Sequence, residues 1–295
     1  MNRRQNEGDE TYQPKMHTMA NDTAKQDRFS YFYVPRPLWR LLKKALPPEK
    51  HCSRGRPRKE ARAVLNGIWY VMWTGCQWKA IHKDWFGVSS SVLHQRFQSW
   101  REQGVFEKMA KLLASYYHRR RGIAWRHQIM DSKRLAAPLG GTQTGRNPVN
   151  LGKQGSKIHL VVDERGAPLS LVVTGAHVHD KWGVPLLLVQ FLLARPLETQ
   201  VMCADKGYFY KDVQAWLIEA NYWPHIELRA FTRSQKQRLD ALAPDELQAY
   251  RWVVERTLSW LMKPRALRTR WCKKVENWIA FLHFASAHIL FNLSF

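Results

Sequence analysis

The chain has 295 residues, room for one large domain or two ordinary ones, and a composition of 45% apolar and 24% charged residues excludes global disorder. Lys and Arg number 47 against 24 Asp and Glu, and the resulting net charge of +23 is best tolerated beside a polyanion, so DNA or RNA is the first partner expected. The cations fall in separate clusters, no signal-peptide-like stretch opens the chain, and the two most apolar segments, Val184–Ala194 and Trp278–Leu293, are too short or too interrupted to span a bilayer. Four scattered cysteines, Cys52, Cys76, Cys203 and Cys272, form no C-x-x-C pair, so a cytoplasmic, nucleoid-associated protein with no membrane partner is expected.

Residues 1–30 show no hydrophobic period and read as a flexible arm. Next comes the basic run Arg54-Gly55-Arg56-Pro57-Arg58-Lys59, which either lays arginines into a narrow minor groove or is a linker whose Pro57 starts a helix. Ala61, Val64, Leu65, Ile68, Trp69 and Met72 recur at helical spacing, with Gly75 as a stop. A short helical piece at Lys79–Asp84 and a turn at Gly87 then lead into Val92, Leu93, Phe97 and Trp100, again at helical spacing. Helix, short helix, turn and helix make a helix-turn-helix-like pattern whose last member would offer Ser90, Ser91, His94, Gln95 and Arg96 to DNA; a plain three-helix packing unit fits the same spacing.

After the basic run His118–Arg121 the period changes from helix to strand. Strands are expected at Gln128–Asp131, Lys157–Asp163 and Pro168–Thr174, the last two joined by a hairpin turn at Asp163-Glu164-Arg165-Gly166. A polar, Gly-rich loop, Gly140–Gly155, separates the first two and is long enough to be functional or mobile. A helix at Lys181–Ala194, a strand at Gln200–Ala204, a helix at Lys211–Ala220, a strand at His225–Leu228 and a helix at Pro244–Met262 complete an α/β half.

Three acids stand where a core begins: Asp131 and Asp205 at strand ends and Glu255 beside Trp252-Val253-Val254. Each has a structural reading, Asp131 as a turn cap, Asp205 as a cap through Lys206-Gly207 and Glu255 as the partner of Arg251 one helical turn earlier. Together, converging carboxylates suit Mg²⁺ or Mn²⁺, and a basic protein with such a site points to a polynucleotide substrate. In His177-x-His179-Asp180, Asp180 reads as a carboxylate supporting the site from behind its ligands, with a separate metal site as the other possibility.

The blocks Asp131-Ser132, Gly155-Ser156-Lys157-Ile158-His159-Leu160, Thr174-Gly175-Ala176-His177-Val178-His179-Asp180, Ala204-Asp205-Lys206-Gly207-Tyr208 and Arg251-Trp252-Val253-Val254-Glu255-Arg256-Thr257 resemble those of DDE transposases from bacterial insertion sequences. The insertion-sequence-five family is the nearest grouping, and the likeness runs from about Phe32 to Asn292. It implies an α/β ribonuclease-H-like catalytic domain, a mixed sheet with flanking helices over 121–295, preceded by an α-helical, helix-turn-helix-like DNA-binding domain over 31–120. In that family reading Asp131, Asp205 and Glu255 bind two Mg²⁺ ions, with Mn²⁺ able to substitute, and Lys157, Arg251 and Arg256 meet phosphates, as Arg56 and Arg58 would in the helical part. The partners implied are double-stranded DNA, as terminal inverted repeats and target, and further copies of the chain in a synaptic complex. A DNA-binding regulator descended from a transposase is the alternative in another functional class.

Overall fold

The computed structural model describes residues 32–48, 58–226 and 248–295. The chain divides into Met1–Tyr33, of which only residues 32 and 33 are described, and Val34–Phe295. The expected arm and Arg56 therefore lie outside the described residues.

The first part of Val34–Phe295 is helical: α1 (Arg36–Leu42), α2 (Ala61–Thr74), the single turn α3 (Lys83–Phe86), α4 (Ser90–Glu102) and α5 (Val105–Arg121). Gly75 and Gly87 end α2 and α3 at φ of 67° and 66°, a left-handed conformation that costs glycine nothing. Ser89 caps α4 through the amide of Val92. Leu93, Phe97 and Trp100 turn the apolar stripe of α4 inward, leaving Ser91, His94 and Gln95 in solvent.

A mixed sheet follows, with β1 (His127–Ala136), β2 (Gly145–Arg146), β3 (Gln154–Asp163), β4 (Pro168–Gly175), β5 (Gln200–Ala204) and β6 (Tyr222–Ile226). The order is β4-β3-β1-β5-β6, with β2 extending the outer side of β3. β1, β3 and β4 are antiparallel neighbours, whereas β5 and β6 run parallel to β1. The predicted hairpin turn is present: the Asp163 carboxylate accepts the amides of Arg165 and Ala167 at 3.0 and 2.8 Å and the Tyr117 hydroxyl at 2.9 Å.

The first strand runs five residues beyond its expected end, because Ser132–Ala136 pair with β3 although they carry no apolar run. The helix expected at Lys181–Ala194 is shorter: a 3₁₀ turn (Asp180–Trp182) leads into α6 (Gly183–Val189). The chain then bends to lie along β4, where Phe191 bridges Ser170 and the Leu192 amide donates to Leu169 O at 2.8 Å. Sheet pairing there outweighs helical propensity. α7 (Lys211–Glu219) precedes β6, and α8 (Gln248–Leu261), α9 (Arg265–Arg268) and α10 (Val275–Leu293) close the chain.

Both apolar segments that raised a membrane question are explained by packing. α10 inserts Phe281 against Phe97, with ring centroids 4.8 Å apart, and Phe284 against Trp69 at 5.2 Å and Phe106 at 5.7 Å. A helix from the end of the chain thus completes the core of the N-terminal helices. Among the described residues, no helix is long and apolar enough to cross a membrane.

Candidate active site

Strand register brings the first two acids together. β1 and β5 pair in parallel as far as Ile129 opposite Cys203, so Asp131 and Asp205 lie two residues past the last pair on each strand, near enough for the Asp205 charge to act on Asp131. α8 packs against β1 and β3 and carries Glu255 near enough for its charge to act on Asp131. Burial pushes the Asp131 carboxyl up to about 6, the Ser132 amide opposes this, the charges of Asp205 and Glu255 raise it further, and Arg251 lowers it. Asp131 therefore feels the other two acids and the arginine together.

Each structural role foreseen for these acids is also present. Asp131 Oδ1 accepts the Ser132 amide at 2.7 Å, Asp205 caps the 3₁₀ turn Lys206–Tyr208 through the Gly207 amide at 2.8 Å, and Arg251 stands 3.8 Å from Glu255. Neither cap consumes more than one carboxylate oxygen, so the other oxygens remain available. Among the described residues, no three His, Cys, Asp or Glu side chains are drawn together closely enough to enclose an ion.

Asp180 lies on the other face of β1. Adjacent strand residues point to opposite faces, and Asp180 is bound by Ser132 Oγ at 2.6 Å and Arg134 at 3.2 Å, the alternate set to Asp131. Lys157, paired with Arg134 across the sheet, donates to Asp180 at 2.8 Å and to Val178 O at 2.5 Å. The expectation that Lys157 meets a DNA phosphate is corrected: its side chain is 0% exposed, and its ammonium serves Asp180. Burial lowers the Lys157 pKa; Asp180, despite its own desolvation, is held below the ordinary carboxylate range by Lys157, Ser132 and Arg134. His159 completes this face, bonded to Thr174 Oγ1 at 2.9 Å and kept neutral with a pKa near 4, first by burial and then by the Lys157 charge. In the His177-x-His179 motif, His179 accepts the Lys181 amide and meets the Tyr210 hydroxyl.

Sequence reasoning missed Ser132 and Arg134 as the partners of Asp180. Their period-two spacing on β1 was the available signal, but it needed the strand to continue past Asp131. Tyr208, fully buried, has its hydroxyl pKa raised well above normal by burial and by the nearby charges of Asp131, Asp180 and Asp205.

Arg256 is differently placed from Arg251. Its guanidinium lies 4.3 Å from the Trp252 ring and 4.7 Å from the Trp260 ring and donates to Arg165 O at 2.7 Å, tying α8 to the β3–β4 hairpin. In the helical part, Arg58, Gln95 and Arg96 line one open groove of about 730 Å³ together with Lys59 and Lys83. Ser90 is half-buried, and His94 packs against Trp78 while remaining exposed.

Residues 34–110 match the family model "Putative transposase of IS4/5 family", and residues 126–290 match the family model "Transposase DDE domain". The chain is 33% identical over 173 residues to the "Putative transposase for insertion sequence element IS402" of Burkholderia cepacia, covering 57% of this chain and 75% of that protein. A second Burkholderia cepacia protein, "Insertion element IS402 uncharacterized 16.2 kDa protein", is 28% identical over 114 residues, 38% of this chain and 78% of its own length. Among solved structures, a piggyBac transposase synaptic complex with hairpin DNA shares 11% identity at a TM-score of 0.44, covering 92% of this chain and 75% of that one. A Mos1 transposase paired-end complex shares 14% identity at 0.26, covering 71% and 80%. With the DDE domain model spanning more than half its length, the chain belongs to the insertion-sequence DDE transposases.

Proposed function

We propose that this chain binds the terminal inverted repeats of an insertion sequence, cuts the element ends by metal-dependent hydrolysis and joins the freed 3′-hydroxyls to target DNA. The observation that carries this reading is the parallel register of β1 and β5, which brings their Asp131 and Asp205 ends to the same edge of the sheet, with Glu255 of α8 near enough for its charge to act on Asp131. Oxygen-only donors of this kind fit Mg²⁺, with Mn²⁺ as a substitute, and Asp131, Asp205 and Glu255 would hold the two ions. Bound there, the ions would supply activation of the attacking oxygen and stabilisation of the leaving one in an in-line phosphoryl displacement.

The chain's own residues divide the remaining work. Arg251 holds Glu255 and reaches toward Asp131, where a planar guanidinium also suits a phosphate. Asp180, fixed by Lys157 and Arg134, anchors Ser132 and hence the backbone that presents Asp131. The antiparallel β4-β3-β1 followed by parallel β5 and β6, with helices flanking, supports a ribonuclease-H-like catalytic domain over 121–295. The groove beside α4, with Arg58, Gln95 and Arg96, supports a DNA-binding role for 31–120, and Ser90, Ser91 and His94 belong to the same proposed helix-turn-helix-like face. Arg56 and Arg256 are proposed to add phosphate contacts, and the protein is proposed to act in the bacterial cytoplasm at the nucleoid as a dimer or larger synaptic assembly.

The test uses a labelled duplex made from the DNA flanking the gene. Wild-type protein should cut it only with Mg²⁺ or Mn²⁺, and Asp131→Asn, Asp205→Asn and Glu255→Gln should each bind it normally and leave it intact. Cutting by any of the three variants removes that residue from the reaction, and cutting without metal overturns the mechanism.

A further inference from the structure

The loop between β1 and β3, residues 137–153, is built as a rigid finger. Arg270, 0% exposed, donates to Gln143 O at 3.2 Å, to Lys273 O at 2.7 Å and to Cys272 O at 3.0 Å, and the Thr142 amide donates to Lys273 O at 3.1 Å. At the tip the chain closes around buried Asn147. Its side chain accepts the Val149 amide at 3.1 Å, its carbonyl accepts the amides of Asn150 and Gly152, and its own amide donates to Lys153 O at 2.8 Å.

This ordered tip presents apolar side chains to solvent. Val149 is 79% and Leu151 92% exposed, and Leu139 nearer the base is 51% exposed. Leu151 is held at φ 47°, a conformation that non-glycine residues adopt at a cost, so the leucine there is not the choice backbone stability would make. Arg146 and Lys153, both exposed, flank the tip, and no Asp or Glu occurs anywhere between Asp131 and Asp163. Exposed apolar tips bracketed by cations, in a segment without acids, complement a groove between phosphates.

Position agrees with chemistry. The finger springs from Ala136, five residues along β1 from Asp131, about 17 Å at about 3.3 Å per residue.

We propose that this finger is a DNA wedge: Val149 and Leu151 enter the minor groove and part a base step near the phosphate being cut, while Arg146 and Lys153 hold the adjacent phosphates. The proposal rests on the transposase reading above and adds a contact surface to it. Parting a step bends the duplex and lets more of the protein surface reach it.

The test uses the full chain and a duplex of about 30 base pairs from the DNA flanking the gene, with 2-aminopurine placed in turn at positions near the cut end. The double variant Val149→Ser with Leu151→Asn removes the apolar tip, and Asn tolerates the left-handed backbone, so the loop should keep its shape. Wild type should brighten the probe at one step. The double variant should lose that signal and bind about ten- to hundredfold more weakly, with an unchanged slope of log affinity against log salt. Leu151→Met should retain both signal and affinity. A double variant that binds and brightens like wild type overturns the wedge while wild-type binding and cutting leave the transposase reading standing. A shallower salt slope would mean lost phosphate contacts instead, and unchanged DNA binding with lost self-association on sedimentation would assign the tip to a second copy; either outcome overturns the wedge. Failure of the wild type to bind DNA overturns both readings.

Discussion

Asp131→Asn, measured on the protein without added metal, should stabilise the fold at alkaline pH. An aspartate carboxyl ordinarily titrates near 3.8, and burial with the neighbouring acids moves Asp131 to about 6. The sign follows from linkage: the unfolded chain gives up this proton more readily than the folded one, so ionisation favours unfolding. The penalty is fully present above about pH 6, amounts to about 3 kcal/mol at about pH 8, and fades as pH falls toward about 4. Asparagine keeps the shape and cannot ionise. With about 2–4 °C per kcal/mol for a domain of this size, the variant should melt up to about 10 °C above wild type at about pH 8 and within a few degrees of it at about pH 4. Thermal unfolding by circular dichroism across that range is the assay. Adding Mg²⁺ should stabilise wild type and affect the variant little, because binding to the folded state alone shifts the equilibrium toward it. A variant less stable than wild type at about pH 8, with a difference that does not change with pH, would refute the claim that Asp131 is ionised at a cost.

Three further outcomes follow from named contacts. Arg251→Lys preserves charge but not the planar fork, so cleavage should fall by about tenfold or more in a gel assay while duplex affinity changes little. Lys157→Ala leaves Asp180 with one cation fewer in a desolvated setting and should cost about 3–5 kcal/mol in urea unfolding; a loss of duplex affinity without any loss of stability would restore Lys157 to the DNA surface. Gly141 adopts φ 106°, and a Cβ there would come within 2.1 Å of Lys273 O, so Gly141→Ala should destabilise by about 2–3 kcal/mol and speed proteolysis of the loop.

Much of the local structure was legible in the sequence because its signals are local. The stripe from Val64 to Met72, the stop at Gly75, the hairpin turn Asp163–Gly166 and the strand Gln200–Ala204 each depend on side chains a few residues apart. The likeness of the blocks around Asp131, Asp205 and Glu255 also pointed to a DDE transposase before any coordinates. What the sequence left open was where charges go once strands pair. Lys157 looks like a phosphate ligand in one dimension; only the β1–β3 register places it against Arg134, and only the fold of the following segment brings Asp180 between them. The loop after β1 read as functional or mobile for the same reason, since the residue that pins it, Arg270, lies more than a hundred residues away. Contacts between residues so far apart in the chain are set by strand order and helix packing, which no spacing within one segment encodes.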